Sequence, residues 1–333
     1  MKKKKALIFG VTGQDGSYLA ELLLAKGYEV HGFARRTSTG NLKHIAHLLD
    51  DIELHAGDLA DVNSCARAIR GARPDEIYNE ADQDHAGWSY RAPDYSSDIT
   101  GAAVGRLLEI VREVDPAIRF FQPLTSNMFG QLERDAPANE ETLLNPQSPY
   151  ACAKAYAWML ARYYRRVHRL HVCCAIFFNH ESPRRSEEYV THKITRAAVR
   201  ISKGLQKELL LGDLSLKVDF GFAKEYMEAA WNIMQLPEPD DFVIGTGKAH
   251  AIQEFLEEAF RAVGLDARRH VRFDERFLRP GKTSALVADA AKARRAFGFT
   301  PRVGFPELVR MLIDCDAAEA DKELAARAPS GCP

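Results

Sequence analysis

ALIFGVTGQDGSYLAELLLAKG, residues Ala6 to Gly27, is the stretch that decides the fold. Ala6 to Phe9 is a short apolar run, the length of a buried strand. Gly10, Gly13 and Gly16 follow at three-residue intervals. Behind them Leu19, Leu22, Leu23 and Lys26 fall at helical spacing, and Gly27 supplies a stop. Glycine at these positions lets the backbone turn tightly and approach a pyrophosphate, which rests on the N-terminus of the helix. An ordinary strand-to-helix turn is the competing reading. The strand before and the helix after favour a dinucleotide cradle spanning Gly10, Thr12, Gly13, Gln14, Asp15 and Gly16.

Working outward, the same alternation continues. Strands are expected at Tyr28 to Phe33, Ile52 to His55, Glu76 to Asn79, Ile118 to Leu124 and Val172 to Phe178. Helices are expected at Val62 to Ile69, around Val104 to Val111, and at Ala151 to Val167. Strands alternating with helices build parallel βαβ units, so the fold class is α/β, a Rossmann-type doubly wound parallel sheet. After Asn179 the rhythm loosens. Helices are expected at Val190 to Ser202, Ala223 to Gln235, Ile252 to Val263 and Pro306 to Ala318, with short β pieces at Leu209 to Leu211 and Phe242 to Ile244. This predicts a cofactor domain over 1–178 and a smaller mixed α/β substrate lobe over 179–333, with the chain free to cross back. Ala328 to Pro333 are expected to fray.

The composition narrows the function. The 333 residues carry 45 basic and 46 acidic side chains, a net charge of -1, without the basic surplus of a nucleic-acid binder. The longest apolar run, Val172 to Phe178, is far short of the ~20 residues of a membrane span. Lys2 to Lys5 are followed by glycines rather than a long apolar segment, so no signal peptide is read and a cytoplasmic location is expected. The six cysteines show no CxxC spacing; they read as reduced thiols buried as small hydrophobes, with Cys173 and Cys174 on opposite sides of a strand. No metal centre is expected.

Two arginines, Arg35 and Arg36, close the second strand, where an acidic residue would bind the ribose hydroxyls of NAD. A guanidinium there suits a 2′-phosphate; a pair of solvated arginines is the alternative. Asp58 and Leu59 follow the third strand, placed to hold an adenine edge. Tyr150 and Lys154 are four apart at the start of a helix, hence on one face. An ammonium near a phenol favours the phenolate, so Tyr150 is expected to exchange a proton near neutral pH. Thr125 or Ser126, past the fifth strand, offers a hydroxyl to the substrate oxygen.

With these residues in place the chain resembles the extended short-chain dehydrogenase/reductase superfamily, and within it the GDP-mannose 4,6-dehydratase family. The matching stretches are GVTGQDGSYLAE (Gly10 to Glu21), SPYACAK (Ser148 to Lys154), FNHESPRR (Phe178 to Arg185), FVIGTGK (Phe242 to Lys248) and RFLRP (Arg276 to Pro280). The resemblance implies a Rossmann domain with a nucleotide-sugar lobe, NADP as a tightly held, recycled cofactor, and a homodimer or homotetramer. Carried over, it puts the pyrophosphate on Gly10 to Gly16, the 2′-phosphate on Arg35, and the adenine against Asp58 and Leu59. Glu80, Ala81, Tyr95, His180 and Arg185 become further cofactor contacts. Thr125, Tyr150 and Lys154 become the hydride-transfer triad, and Asn179, Lys193 and Arg279 hold the nucleotide sugar.

The reaction the resemblance implies oxidises the sugar's C4 hydroxyl, removes the C5 proton with loss of water from C6, and reduces C6. The family's base for C5 is a glutamate two residues after the triad threonine. Here Leu124 to Gly130 reads LTSNMFG, and Asn127 stands in that position. An amide has no basic lone pair at physiological pH and cannot take the proton. Glu80, Asp82 and Asp84 add carboxylates beside the cofactor, Val218 stands where a phosphate-binding arginine precedes Asp219, and Lys282 replaces a glutamate. Lys217 and Lys282 are the candidates to replace the lost cation. Two other readings stay open: a GDP-sugar C4 dehydrogenase, epimerase or 4-keto reductase without dehydration, and a non-catalytic cofactor-bound partner subunit.

Overall fold

The computed structural model describes residues 3–38, 40–132, 136–277 and 285–327. In chain order, β1 (Lys5–Phe9), α1 (Gln14–Ala25), β2 (Glu29–Ala34), β3 (Ile52–Ala56), α2 (Val62–Ala72) and β4 (Glu76–Asn79) come first. Two short helical turns, α3 (Ala86–Ser89) and α4 (Pro93–Ser96), precede α5 (Ala103–Val114), β5 (Arg119–Thr125), α6 (Pro149–Val167) and β6 (Val172–Phe177). The remainder holds β7 (Asn179–Glu181), α7 (Val190–Ser202), β8 (Leu209–Leu211), β9 (Lys217–Phe222), α8 (Ala223–Gln235), β10 (Asp241–Ile244), β11 (Ala249–Ala251), α9 (Ile252–Ala262), β12 (Val271–Phe273), α10 (Ala291–Phe297) and α11 (Phe305–Arg327).

Seven strands form one parallel sheet in the order β10-β6-β5-β4-β1-β2-β3. The order reverses between β1 and β4, so the connections leaving their carboxyl ends diverge to opposite faces and open a crevice, the place where such sheets bind ligands. Buried apolar side chains fill both faces of the sheet. Cys173 joins one core and Cys174 the other, as neighbours on a strand must. Cys152 departs from the expected burial: it is exposed.

The last strand of this sheet comes from beyond residue 178. β10 pairs in register with β6, Asp241 opposite Cys174. The buried Asp241 carboxylate accepts a hydrogen bond from Trp158 Nε1 at 2.9 Å and an ion pair from Arg165, both on α6. The later residues also build a three-stranded sheet, β11-β9-β7, and a β12–β8 pair. β9 was missed by the sequence reading, because Lys217 and Asp219 interrupt its apolar pattern. α11 runs to Arg327, past the expected Ala318, because ion pairs continue where the apolar periodicity stops. Arg200 of α7 and Lys203 just past it reach Glu323 and Asp321, and Arg327 reaches Glu323 at 2.6 Å. Ala328 to Pro333 lie outside the described residues. Among the described residues no helix is long and apolar enough to cross a membrane.

Candidate active site

A cleft of about 1400 Å³ opens over the carboxyl ends of the large sheet. The turn after β1 forms its floor. Gly10 has φ +77, and a Cβ on it would stand 2.7 Å from the Glu80 carbonyl oxygen. A Cβ on Gly16 would come within 2.3 Å of the Gly10 carbonyl oxygen. Only glycine lets this loop close on itself and on the β4 loop. Gly13 caps α1 with no side chain on its first amides, leaving the helix N-terminus facing the cleft as an anion seat. Thr12, Gln14 and Asp15 line the same floor. Gln14 donates to the His180 carbonyl oxygen at 3.2 Å and accepts from Ser182 Oγ at 2.8 Å, which ties the cradle to β7.

At one end of the cleft Arg35 is exposed just past β2, and its Nη1 donates to the Tyr95 hydroxyl at 3.0 Å. Asp58 and the buried Leu59 line the wall beside it. The cradle and its small-residue floor fit the pyrophosphate of a nicotinamide dinucleotide.

At the centre, Ser148 caps α6 by accepting from the Ala151 amide at 3.1 Å, and Pro149 occupies the first turn. This fixes Tyr150 and Lys154 facing inward, both buried. Lys154 Nζ lies 2.6 Å from Asp82 Oδ2 and donates to the Pro123 carbonyl oxygen at 2.9 Å. Its ammonium is thus held charged against the cost of burial. Tyr150 does not reach the lowered range expected for it. Burial pushes its hydroxyl well above the ordinary phenol range; Lys154 and a hydrogen bond from Thr125 oppose the shift, but Asp82 and Asp84 add to it. Asn127 sits in the middle of the Ser126–Met128 turn after β5, its amide N–H donating to Thr125 Oγ1 at 3.2 Å, and lines the cleft with the buried Ser126.

The loop after β4 brings in Glu80, Ala81, Asp82 and Asp84. Burial, with Asp15 adding to it, raises the Glu80 carboxyl well above the usual carboxylate range. The loop is pinned through Gln83, whose amide donates to Thr100 Oγ1 at 3.1 Å and whose Oε1 accepts from Ser96 Oγ at 3.2 Å. Thr100 sits in a π-helical turn, Ser97–Ala102, that lets Gly101 pack against Ala153 of α6. Nothing local in the sequence marked Gln83, Ser96 and Thr100, since the contact joins separate elements. Asp15 meets His180 Nε2 at 2.7 Å; burial alone would lower the imidazole, and the carboxylate overrides it, leaving His180 raised and Asp15 lowered. Arg185 stacks on Tyr189 at 3.5 Å and pairs with Glu181 at 3.4 Å.

On the far wall Asn179 is exposed, and Lys193 Nζ donates to the Leu210 carbonyl oxygen at 2.9 Å. The expected site residues line this cleft except Gly16, which underlies the cradle, Arg36, which is exposed outside it, and Arg279, which lies outside the described residues.

A family model described as GDP-mannose 4,6 dehydratase matches residues 7–312. The chain belongs to the GDP-mannose 4,6-dehydratase family. It is 44% identical to the GDP-mannose 4,6 dehydratase 1 of Arabidopsis thaliana, covering 96% of this chain and 92% of that one. It is 38% identical to the GDP-mannose 4,6-dehydratase of Vibrio cholerae, covering 96% and 95%. Among solved structures it is similar to a Thermus thermophilus UDP-glucose 4-epimerase complexed with NAD (TM-score 0.82, 25% identity, 94% of this chain and 98% of that one). It is an extended short-chain dehydrogenase/reductase enzyme of nucleotide-sugar metabolism, GDP-mannose 4,6-dehydratase-like.

The positions where this chain is expected to depart from the GDP-mannose 4,6-dehydratase family gather in the cleft. Asn127, expected to stand where the family has a glutamate, lines it together with Glu80, Asp82 and Asp84. Lys217 lines the wall beside Val218, while Lys282 lies outside the described residues. Asp219 is buried at this wall: its carboxylate accepts from the amides of Thr246 and Gly247, both at 2.9 Å, and of Ala288 at 3.1 Å.

Proposed function

We propose that this enzyme uses NADP to oxidise the C4 hydroxyl of a GDP-mannose-type nucleotide sugar, and that it eliminates water poorly. The observation that carries the reading is Asn127: an amide stands on the cleft wall beside Thr125, where the family has a carboxylate. When bound, the oxidised dinucleotide supplies a hydride acceptor whose positive ring also favours the Tyr150 phenolate. Tyr150 then takes the C4 hydroxyl proton, Thr125 shares that oxygen, and Lys154 holds positive charge beneath them. Asp82 and Asp84 are the replacement bases the sequence offers; the Asp82 carboxylate is engaged by Lys154 at 2.6 Å, and that of Asp84 faces Arg185 at 4.0 Å. The glycine cradle supports the pyrophosphate and Arg35 the 2′-phosphate. Asn179, Ser126, Lys193 and Arg279 are assigned to the nucleotide sugar.

Residues 1–178 with β10 serve the cofactor and the rest mainly the sugar. Free cysteines at 65, 152, 173, 174 and 315 fit a reducing, cytoplasmic setting. A homodimer, or a tetramer built from it, is supported by the outer face of α6. Tyr156, Met159, Tyr163 and Val167 form a helical stripe there, 53, 49, 43 and 51% exposed.

The test is a single-turnover trace of reduced nicotinamide with NADP-loaded protein and GDP-mannose. Absorbance is expected to appear in the unmutated protein. Tyr150→Phe should keep cofactor binding and lower the rate about 10²–10⁴-fold. An unchanged rate would mean another group takes the proton.

A further inference from the structure

Away from the cleft, β2 and β3 pair in parallel with His31 opposite Glu53 and Phe33 opposite His55. His31, Glu53 and His55 therefore project from the same face of the sheet. Their donor atoms converge: His31 Nδ1 is 3.1 Å from His55 Nε2 and 3.5 Å from Glu53 Oε2, and His55 Nε2 is 3.7 Å from Glu53 Oε1. Ligands about 2.1 Å from a tetrahedral ion stand roughly 3.4 Å from one another. Three donors at that mutual spacing already enclose a position at bonding distance from each.

The geometry points to a divalent transition-metal site of the zinc class, made by His31, His55 and Glu53, with water completing the coordination. Two further observations support it. His31 Nε2 faces Glu29 Oε1 at 3.1 Å, and Lys5 holds that same oxygen at 2.5 Å. A carboxylate on the remote ring nitrogen fixes the histidine as Nε2–H, which leaves Nδ1 a lone pair aimed at the ion. Burial is also graded as an open site requires: the His31 side chain is 3% exposed, His55 18% and Glu53 66%.

In this tautomer the proton between the two rings sits on His55 Nε2. A bound ion takes its place, and the proton moves to His55 Nδ1 or to buffer. Two imidazoles with one carboxylate suit zinc, cobalt or nickel better than calcium or magnesium, which prefer all-oxygen ligands. No local motif marks this site, because the ligands come from two strands, in no recognised spacing. An ion here ties the edge strand to β2, just before Arg35 and Asp58 leave those strands for the cleft. The inference does not depend on the proposed reaction.

The experiment is a titration of the chelator-stripped full chain with cobalt(II) alone, followed by visible absorption. One equivalent should produce the d–d band of a four-coordinate ion without thiolate-to-cobalt absorption, and zinc should displace it. His55→Gln and the exposed Glu53→Gln should each weaken binding about tenfold or more, with circular dichroism confirming the fold. Cys152→Ser should change nothing. Absence of the band, or a band unchanged in both ligand variants, would overturn the site.

Discussion

Asp82 sets the electrostatics of the proton relay. Its carboxylate meets Lys154 at 2.6 Å and, with Asp84, raises the Tyr150 hydroxyl beyond what burial alone does. Oxidation uses the phenolate, so the rate rises with pH as Tyr150 ionises. Removing a negative charge lowers that pKa. Asp82→Asn should therefore move the rising limb of the hydride-transfer profile to lower pH, by roughly one unit, as single-turnover rates across pH would record. A limb that stays in place or moves up would contradict the assignment. Much of this centre was legible in the sequence. The Tyr150 and Lys154 spacing places both on one helix face, and Asn127 declares itself by its position after Thr125. The Asp82–Lys154 contact was not legible, since the two are 72 residues apart in the chain and are joined only by the packing of the β4 loop against α6.

At the scale of elements, the parallel strands set the site by ending together. Gly10, Arg35, Asp58, Glu80 and Ser126 all lie just past the carboxyl ends of β1 to β5. Arg35→Ala should remove a charge-assisted phosphate contact of about 1.5–3 kcal/mol and weaken NADP much more than NAD in a fluorescence titration. Equal affinities of the unmutated protein for the two cofactors would sink the NADP assignment. The βαβ rhythm was readable wherever a strand is buried on both faces, as in Val172 to Phe178. It failed where an element is held by ion pairs or pairing partners instead. β9 carries Lys217 and Asp219, the last turns of α11 depend on α7, and the π turn at Ser97–Ala102 exists to let Gly101 approach α6.

For the whole molecule, α6 links the chemistry to the proposed assembly. Its inner face carries Tyr150 and Lys154, its outer face the stripe from Tyr156 to Val167. Met159→Glu places a charge in the middle of that stripe and should weaken the proposed dimer by on the order of 2 kcal/mol or more, visible as monomer in sedimentation velocity. A dimer of undiminished affinity would move the interface elsewhere. The crossing of β10 into the large sheet was only partly legible: the short apolar run was visible, but not the Trp158 and Arg165 contacts that bury Asp241.

The central claim is that this chain carries out the oxidation of its family and lacks the base for the elimination. It is tested by incubating the NADP-loaded protein and Asn127→Glu with GDP-mannose in deuterated water, reading deuterium at C5 and loss of water by mass. The unmutated protein should oxidise C4 with little of either, and Asn127→Glu should raise both. Efficient dehydration by the unmutated protein would contradict the claim and point to a relocated carboxylate.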